Sequence, residues 1–450
     1  MKPVKENKMG VMPVNKLLIS MSLPMMISML VQAMYNIVDS IFVAQLSEDA
    51  LTAVSVAFPM QMLLIAAATG TGVGVNALLS RALGQKDSDT VNKAATNGLF
   101  LWGCWYVLFL IIGLTLVRPF YLMQNTPEVI TELGVQYLST ILILSIGVYM
   151  QMSFERLLQA TGKTVCTMIT QITGAVINLI MDPILIFGLF GFPKLGIQGA
   201  AIATIFGQIV AGIMAIIMNV KLNHEVSISF KGFRPNGRII RMILSVGIPS
   251  LLMQAVGSVM TVGMNKILIG FSTTAVAVFG VYFKLNSFIF MPIFGLNNGM
   301  VPIVAYNYGA GNKDRVLKTV KYSIMYAMIL MAVGVALFWL IPDKLLALFN
   351  ASENMLAIGI PALRIISLSF ILAAIAIVFS STFQALGNGM YSMFVSFARQ
   401  IIVLLPSAYL LSLTGNVDNV WWSYNIAEIA SVSLSIFFFM KMKKKVLDTL

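Results

Sequence analysis

The chain has 450 residues, of which 58% are hydrophobic and only 10% charged, against about 45–50% apolar and about 25% charged in an ordinary soluble domain; a soluble fold is excluded. The net charge of +12 is not that of a nucleic-acid binder, because the lysines and arginines fall in short clusters between apolar runs of bilayer-crossing length. Two cysteines and one histidine exclude a disulfide framework, a metal cluster and a His-based nucleophile triad.

The N-terminal Lys2, Lys5, Lys8 and Lys16 precede an apolar run that continues to about Val43 without a small-x-small cleavage site, so it reads as a retained first helix. Windows of about 20 residues place spans at 17–43, 50–79, 95–117, 133–154, 164–189, 197–220, 243–270, 275–304, 320–341, 357–383, 390–412 and 421–440, twelve in all. Cys104 and Cys166 lie inside the third and fifth, where small buried hydrophobes are expected. His224 stands between Asn223 and Glu225 in a polar connection, a solvated loop position.

The basic residues follow this topology. The N-terminal tail, the connections after the even-numbered spans and the C-terminal tail hold 22 of the 29, while the opposite connections hold only Arg118, Lys194 and Lys344. By the positive-inside rule both termini are cytoplasmic. A shift of 225 residues lays the second half on the first, matching Pro24 with Pro249, Gly70 with Gly295, Gly74 with Gly299, Gly84 with Gly309, Asp89 with Asp314, Gln159 with Gln384 and Gly162 with Gly387. The chain is thus a duplicated six-helix unit whose copies insert the same way up. The expected organisation is an N-lobe over 1–221, a cytoplasmic linker over 222–241 and a C-lobe over 242–450, an all-α membrane protein with twelve transmembrane helices. Proteins of this build place a transported substrate between the halves.

Two glycine motifs carry no nucleotide chemistry. Gly162-Lys163-Thr164 lacks the upstream glycine of a phosphate loop, that position being Leu157. Gly70-Thr71-Gly72-Val73-Gly74 sits inside a span, where small residues serve close helix packing.

Ionisable residues inside spans are the informative signal, since a charge at mid-helix costs about 2.5–3.5 kcal/mol. Asp39 precedes Gln45 at the outer end of the first span by six residues, and Asp182 precedes Gly188 by six, which sets both roughly 9 Å below the outer surface. Asn178 is four residues before Asp182 and shares its face. Thr204, returning from outside, reaches about 10 Å depth. Two carboxylates with amide and hydroxyl oxygens suit a proton relay or a hard monovalent cation; the alternative is that Asp39 bonds a neighbouring helix and Asp182 marks the Pro183 kink. Glu155-Arg156, at the inner end of the fourth span, reads either as a surface pair or as a substrate contact. In the second half Lys284, Arg399 and Glu428 are intramembrane, and Glu428 can neutralise either cation as a structural ion pair.

The run Gln159-Ala160-Thr161-Gly162-Lys163-Thr164, then Asn178 to Gly188 (NLIMDPILIFG) and Gly196 to Thr204 (GIQGAAIAT), resembles the multidrug and toxic compound extrusion (MATE) family. So do Val38-Asp39-Ser40-Ile41-Phe42-Val43, the loops ending in Gly84 and Gly311, and Ala398-Arg399-Gln400 with Pro406. The resemblance spans nearly the whole chain and implies a V-shaped, two-lobed, monomeric antiporter of the bacterial plasma membrane. Its expected partners are the lipid bilayer and small-molecule drugs or organic cations, exported against inward H⁺ or Na⁺ with no other cofactor, resident metal or nucleic acid. It implies that Asp39, Asn178, Asp182 and Thr204 bind the coupling ion and that Pro24 is a hinge. The expected substrate-contacting set is Gln32, Tyr35, Glu155, Gln171, Gln208 and Lys284. Some branches add an acidic cation site in the second half, but here the seventh span offers Asn265-Lys266 and the tenth has no acid. A lipid-linked oligosaccharide flippase of the same superfamily is the competing reading; twelve spans and the Asn178/Asp182 pattern argue against it.

Overall fold

A computed structural model describes residues 6–448, so Lys2 and Lys5 of the basic N-terminal tail lie outside the described residues. Ten helices are long and apolar enough to cross a membrane, and two bent pairs bring the number to twelve. In chain order these are α1 (Val14–Ala44), α2 (Glu48–Gly84), α3 (Ser88–Thr115), α4 (Glu128–Ile143 with Ile146–Ala160), α5 (Thr164–Phe187) and α6 (Ile197–Leu222). The second set is α7 (Gly237–Leu268), α8 (Thr273–Gly309), α9 (Lys313–Leu340), α10 (Glu353–Ser367 with Phe370–Ala385), α11 (Gly389–Ser412) and α12 (Val417–Met442). The described residues contain no strand.

All twelve expected spans are present, and several run further than their apolar windows because polar first and last turns continue the helix beyond the hydrocarbon. Bends of 42° in α4 and 49° in α10 were not foreseen. Neither break contains proline or glycine; Ser145 and Ser369 occupy the two turns, one 224 residues after the other in near-register with the repeat.

The duplication is written into local geometry as well as sequence. Ser47 caps α2 by accepting from Ala50 N at 3.0 Å, and Ser272, 225 residues on, caps α8 by accepting from Ala275 N at 3.0 Å. Asp87 and Asn312 cap α3 and α9 in the same relation, and satisfying a helix's orphan N–H groups in this way contributes about 1 kcal/mol each. The hydrogen bonds from Thr90 to Asp87 hold that exposed carboxyl below the usual carboxylate range. Asn125 and Asn350, also 225 apart, are both left-handed at φ 53°.

The residues divide into two compact units, one of Ile27–Gly247 and one of the residues up to Met26 with Ile248–Leu450. The chain passes from one to the other inside α1 and α7, within two residues of Pro24 and Pro249. Proline inside a helix removes one backbone hydrogen bond and clashes with the carbonyl four residues back, so both unit boundaries fall where the helix ladder is weakened. In the first unit the start of α7 lies against α2 so closely that a Cβ on Gly74 would meet Ile243 O at 2.1 Å. In the other, the start of α1 lies against α8, and a Cβ on Gly299 would meet Ser22 Oγ at 2.4 Å. Glycine is required at both matched positions because backbone meets backbone.

Many exposed side chains are large and apolar: Ile180 is 55% exposed, Leu114 66% and Val262 69%. Apolar side chains on a membrane-crossing helix can be exposed at the protein surface without meeting water. That corrects the expectation for the cysteines: both are free, but Cys104 is exposed and Cys166 half-buried, because an apolar group on a span need not be inside the protein to avoid water. His224 is an exposed loop residue.

Candidate functional site

The site lies in the Ile27–Gly247 unit, where α5 and α6 pack most closely. A Cβ on Gly207 would stand 2.6 Å from Gly174 O, and one on Gly199 2.5 Å from Leu185 O, so small residues let the two backbones touch. This contact brings polar side chains together from both helices. Asn178 Nδ2 donates to Thr204 Oγ1 at 3.2 Å and to Asp182 Oδ1 at 3.4 Å, and the Thr204 hydroxyl donates back to Ala200 O at 3.1 Å. Asp182 and Asn178 are 0% and 3% exposed. The α5 helix is polar inward and apolar outward: Ile169, Val176 and Ile180 are exposed at the same spacings at which Gln171, Asn178 and Asp182 recur on the opposite face.

From α1, the half-buried Asp39 comes close enough to Asp182 for the two carboxyl groups to act on one another. Tyr35, one turn earlier, lies within electrostatic reach of both acids, with Gln32 beside it. All four residues expected to form the ion site, and two of those expected to contact substrate, therefore meet.

Two neighbours were missed. Tyr137 on the first limb of α4 lies within electrostatic reach of both carboxyls and accepts from Gln61 Nε2 at 3.0 Å, which leaves its own proton free to donate. Tyrosine and glutamine are too common in spans to single out by type.

The electrostatic character of the site follows from what is unpaired. Asp39 Oδ1, Asn178 Oδ1 and Asp182 Oδ2 are buried without a hydrogen-bond partner. Every one is an acceptor, and a buried acceptor without a donor costs about 1–3 kcal/mol. What the cluster lacks is positive: a proton or a small cation. Among the described residues no three His, Cys, Asp or Glu side chains form a metal-binding group; here two carboxylates stand among neutral oxygens.

The other expected residues fall elsewhere. Gln208 is one turn from Thr204 and packs beside Gly147 of α4. Glu155 and Gln171 form their own cluster, with Gln171 Nε2 donating to Glu155 Oε2 at 2.9 Å; Glu155 is 4% exposed, which rules out a surface pair. In the other unit Arg399 Nη1 pairs with Glu428 Oε1 at 2.7 Å. Lys284 is not part of that pair and stands 5.7 Å from the centre of the Phe349 ring. Arg399 lies in a π-helical stretch, Ala398–Leu404, that precedes Pro406; the missing proline N–H favours that wider turn.

Comparison with known proteins agrees with this architecture. The MatE family model matches residues 24–184 and 249–410, one copy in each half. The chain is 28% identical over 440 residues to the multidrug export protein MepA of Staphylococcus haemolyticus, covering 96% of this chain and 94% of that protein. It is 26% identical to MepA of Staphylococcus aureus, covering 97% and 96%. Among solved structures, an outward-facing multidrug resistance MATE family transporter of the MOP superfamily superposes with a TM-score of 0.93 at 26% identity, covering all of both chains. A crystal structure of MATE in the straight conformation superposes with a TM-score of 0.91 at 25% identity, covering 99% of this chain and all of that one. With both copies of the repeat matched, this chain belongs to the MatE family, whose relatives here are membrane transporters and not enzymes.

Proposed function

We propose that the protein is a multidrug efflux antiporter of the bacterial plasma membrane, exporting organic cations and amphiphilic drugs in exchange for inward H⁺ or Na⁺. The observation that carries this reading is the set of three buried acceptor oxygens, on Asp39, Asn178 and Asp182, that lack a donor. The names of the relatives support the substrate class. In this reading Asp39, Asn178, Asp182 and Thr204 hold the ion, and Gln32, Tyr35, Gln171, Gln208, Glu155 and Lys284 contact substrate along its route. Arg399 and Glu428 form a structural pair, and Pro24 is the hinge of alternating access. The N-lobe, linker and C-lobe follow the boundaries drawn from the sequence, the protein works as a monomer, and both termini are cytoplasmic.

Exchange follows from charge. A bound proton or cation neutralises the Asp39–Asp182 pair and weakens the attraction for a cationic drug, while the drug weakens ion binding by the same factor. That differential affinity is what moves the equilibrium between conformations. Drug-stimulated ion flux in proteoliposomes, with pH and Na⁺ gradients imposed separately, tests the reading: one gradient should drive tetraphenylphosphonium export. Export driven by neither gradient would reject it.

A further inference from the structure

A second buried carboxylate stands apart from the Asp39–Asp182 pair within the Ile27–Gly247 unit. Glu155 Oε1 accepts from Gln151 Nε2 at 3.0 Å and Thr170 Oγ1 at 2.8 Å, and Oε2 accepts from Gln171 Nε2 at 2.9 Å. All three donors are neutral. The charged group that acts on it is Arg156, whose guanidinium donates to Gln159 Oε1 at 2.8 Å. A carboxylate has about four acceptor positions, so these donors leave one open, and Gln171 Oε1 beside it is also buried without a donor.

We propose that Glu155 is a second proton-binding station of the exchanger, joined to the Asp39–Asp182 pair by a ladder of polar side chains on α5 and α6. This rests on the coupling reading above and commits the coupling ion to a proton. The inner face of α5 carries Gln171, Asn178 and Asp182 at intervals of seven and four residues, a climb of about 16 Å. The α6 helix fills the interval: Thr204 bonds Asn178, and Gln208 lies one turn, about 6 Å, further along. Gln208 packs beside Gly147 of α4, and Gln151, one turn from Gly147, bonds Glu155.

The side chains named along this route, Asn178, Thr204, Gln208 and Gln151, are all non-titratable. Around Glu155, α5 presents Thr167, Thr170 and Gln171, α6 presents Asn219 to the neighbouring Phe154 O, and α2 presents Gly72 to the Arg156 stem. A proton leaving the aspartate pair restores a carboxylate there and neutralises Glu155, so charge balances within the unit. The station would then empty toward the basic end, where α4 finishes at Ala160.

The test is proton release from the purified full-length protein in detergent, in weak buffer, on addition of tetraphenylphosphonium between pH 5 and 9. Wild type is expected to release protons in two pH components. Glu155→Gln should lose one and Asp39→Asn the other, each variant releasing about half as many protons per probe bound. A wild-type profile in Glu155→Gln, or no proton release by wild type, overturns the proposal. An unchanged profile in Asp39→Asn, with one component lost in Glu155→Gln, overturns the aspartate reading instead. If Glu155→Gln does not fold, Gln171→Leu keeps the carboxylate and removes one donor. It should move the midpoint of one component alone, and unmoved midpoints would overturn the proposal.

Discussion

Gly207→Ala perturbs the proposed ion site without replacing any of its polar side chains. The new Cβ would stand 2.6 Å from Gly174 O and 3.3 Å from both Asn178 Cβ and Asn178 N. The nearest obstacle is backbone, so relief requires α5 and α6 to separate. Ordinary contact begins at 3.4 Å, which makes the separation about 0.8 Å and the overpacking cost about 1–3 kcal/mol. The same movement stretches the Asn178–Thr204 bond from 3.2 Å to about 4 Å, beyond hydrogen-bond reach. One neutral hydrogen bond is worth about 0.5–1.5 kcal/mol, so ion affinity should fall about two- to tenfold. The assay is the ion concentration giving half-maximal tetraphenylphosphonium efflux in proteoliposomes, with thermal unfolding alongside. Thr204→Val should produce a similar fall, and the double variant should be little worse than either single one, a coupling of about 1 kcal/mol. Wild-type ion dependence in Gly207→Ala, or full additivity in the double variant, would refute the role given to the α5–α6 contact.

Three further outcomes follow from the same geometry. Asp182→Asn should fold and bind tetraphenylphosphonium but lose gradient dependence, measured by equilibrium binding and by efflux; a variant that remains gradient-driven counts against the pair. Glu428→Gln leaves Arg399, whose side chain is 28% exposed, without its partner, and should lower stability by about 1–3 kcal/mol, less than for a fully buried pair. Thermal unfolding should show the loss while part of the ion-driven efflux survives, and normal stability with abolished ion dependence would reverse the assignment. With Cys104 and Cys166 replaced by alanine, cysteines introduced at His224 and Asp418 should label from opposite faces of intact cells; labelling from one face breaks the topology.

Much of the fold was legible because the bilayer imposes a length on every apolar run and the duplication repeats at a fixed offset. Depth arithmetic from Gln45 and Gly188 put Asp39 and Asp182 at one level, and the structure brings the two carboxyls within reach of one another. The breaks in α4 and α10 were not legible, since Ser145 and Ser369 carry no signal that distinguishes a bend from a continuous helix. Nor was the choice between Lys284 and Arg399 as partner of Glu428. Each lies far from Glu428 in sequence, and only the packing of α11 on α12 turns Arg399 toward the acid. Glu155 stands beside Arg156 in the chain, yet successive helical residues point about 100° apart, and its donors come from Gln151 and from α5. Tyr137 and Gln61 reach the site through α4 and α2, whose packing no local pattern announces.

The most direct test of the account is gradient-driven efflux by Asp39→Asn in reconstituted vesicles, with tetraphenylphosphonium export followed under an inward proton gradient and, separately, an inward sodium gradient. The account predicts that the variant retains probe binding but exports at the gradient-independent rate under both. Export at the wild-type, gradient-driven rate would contradict it.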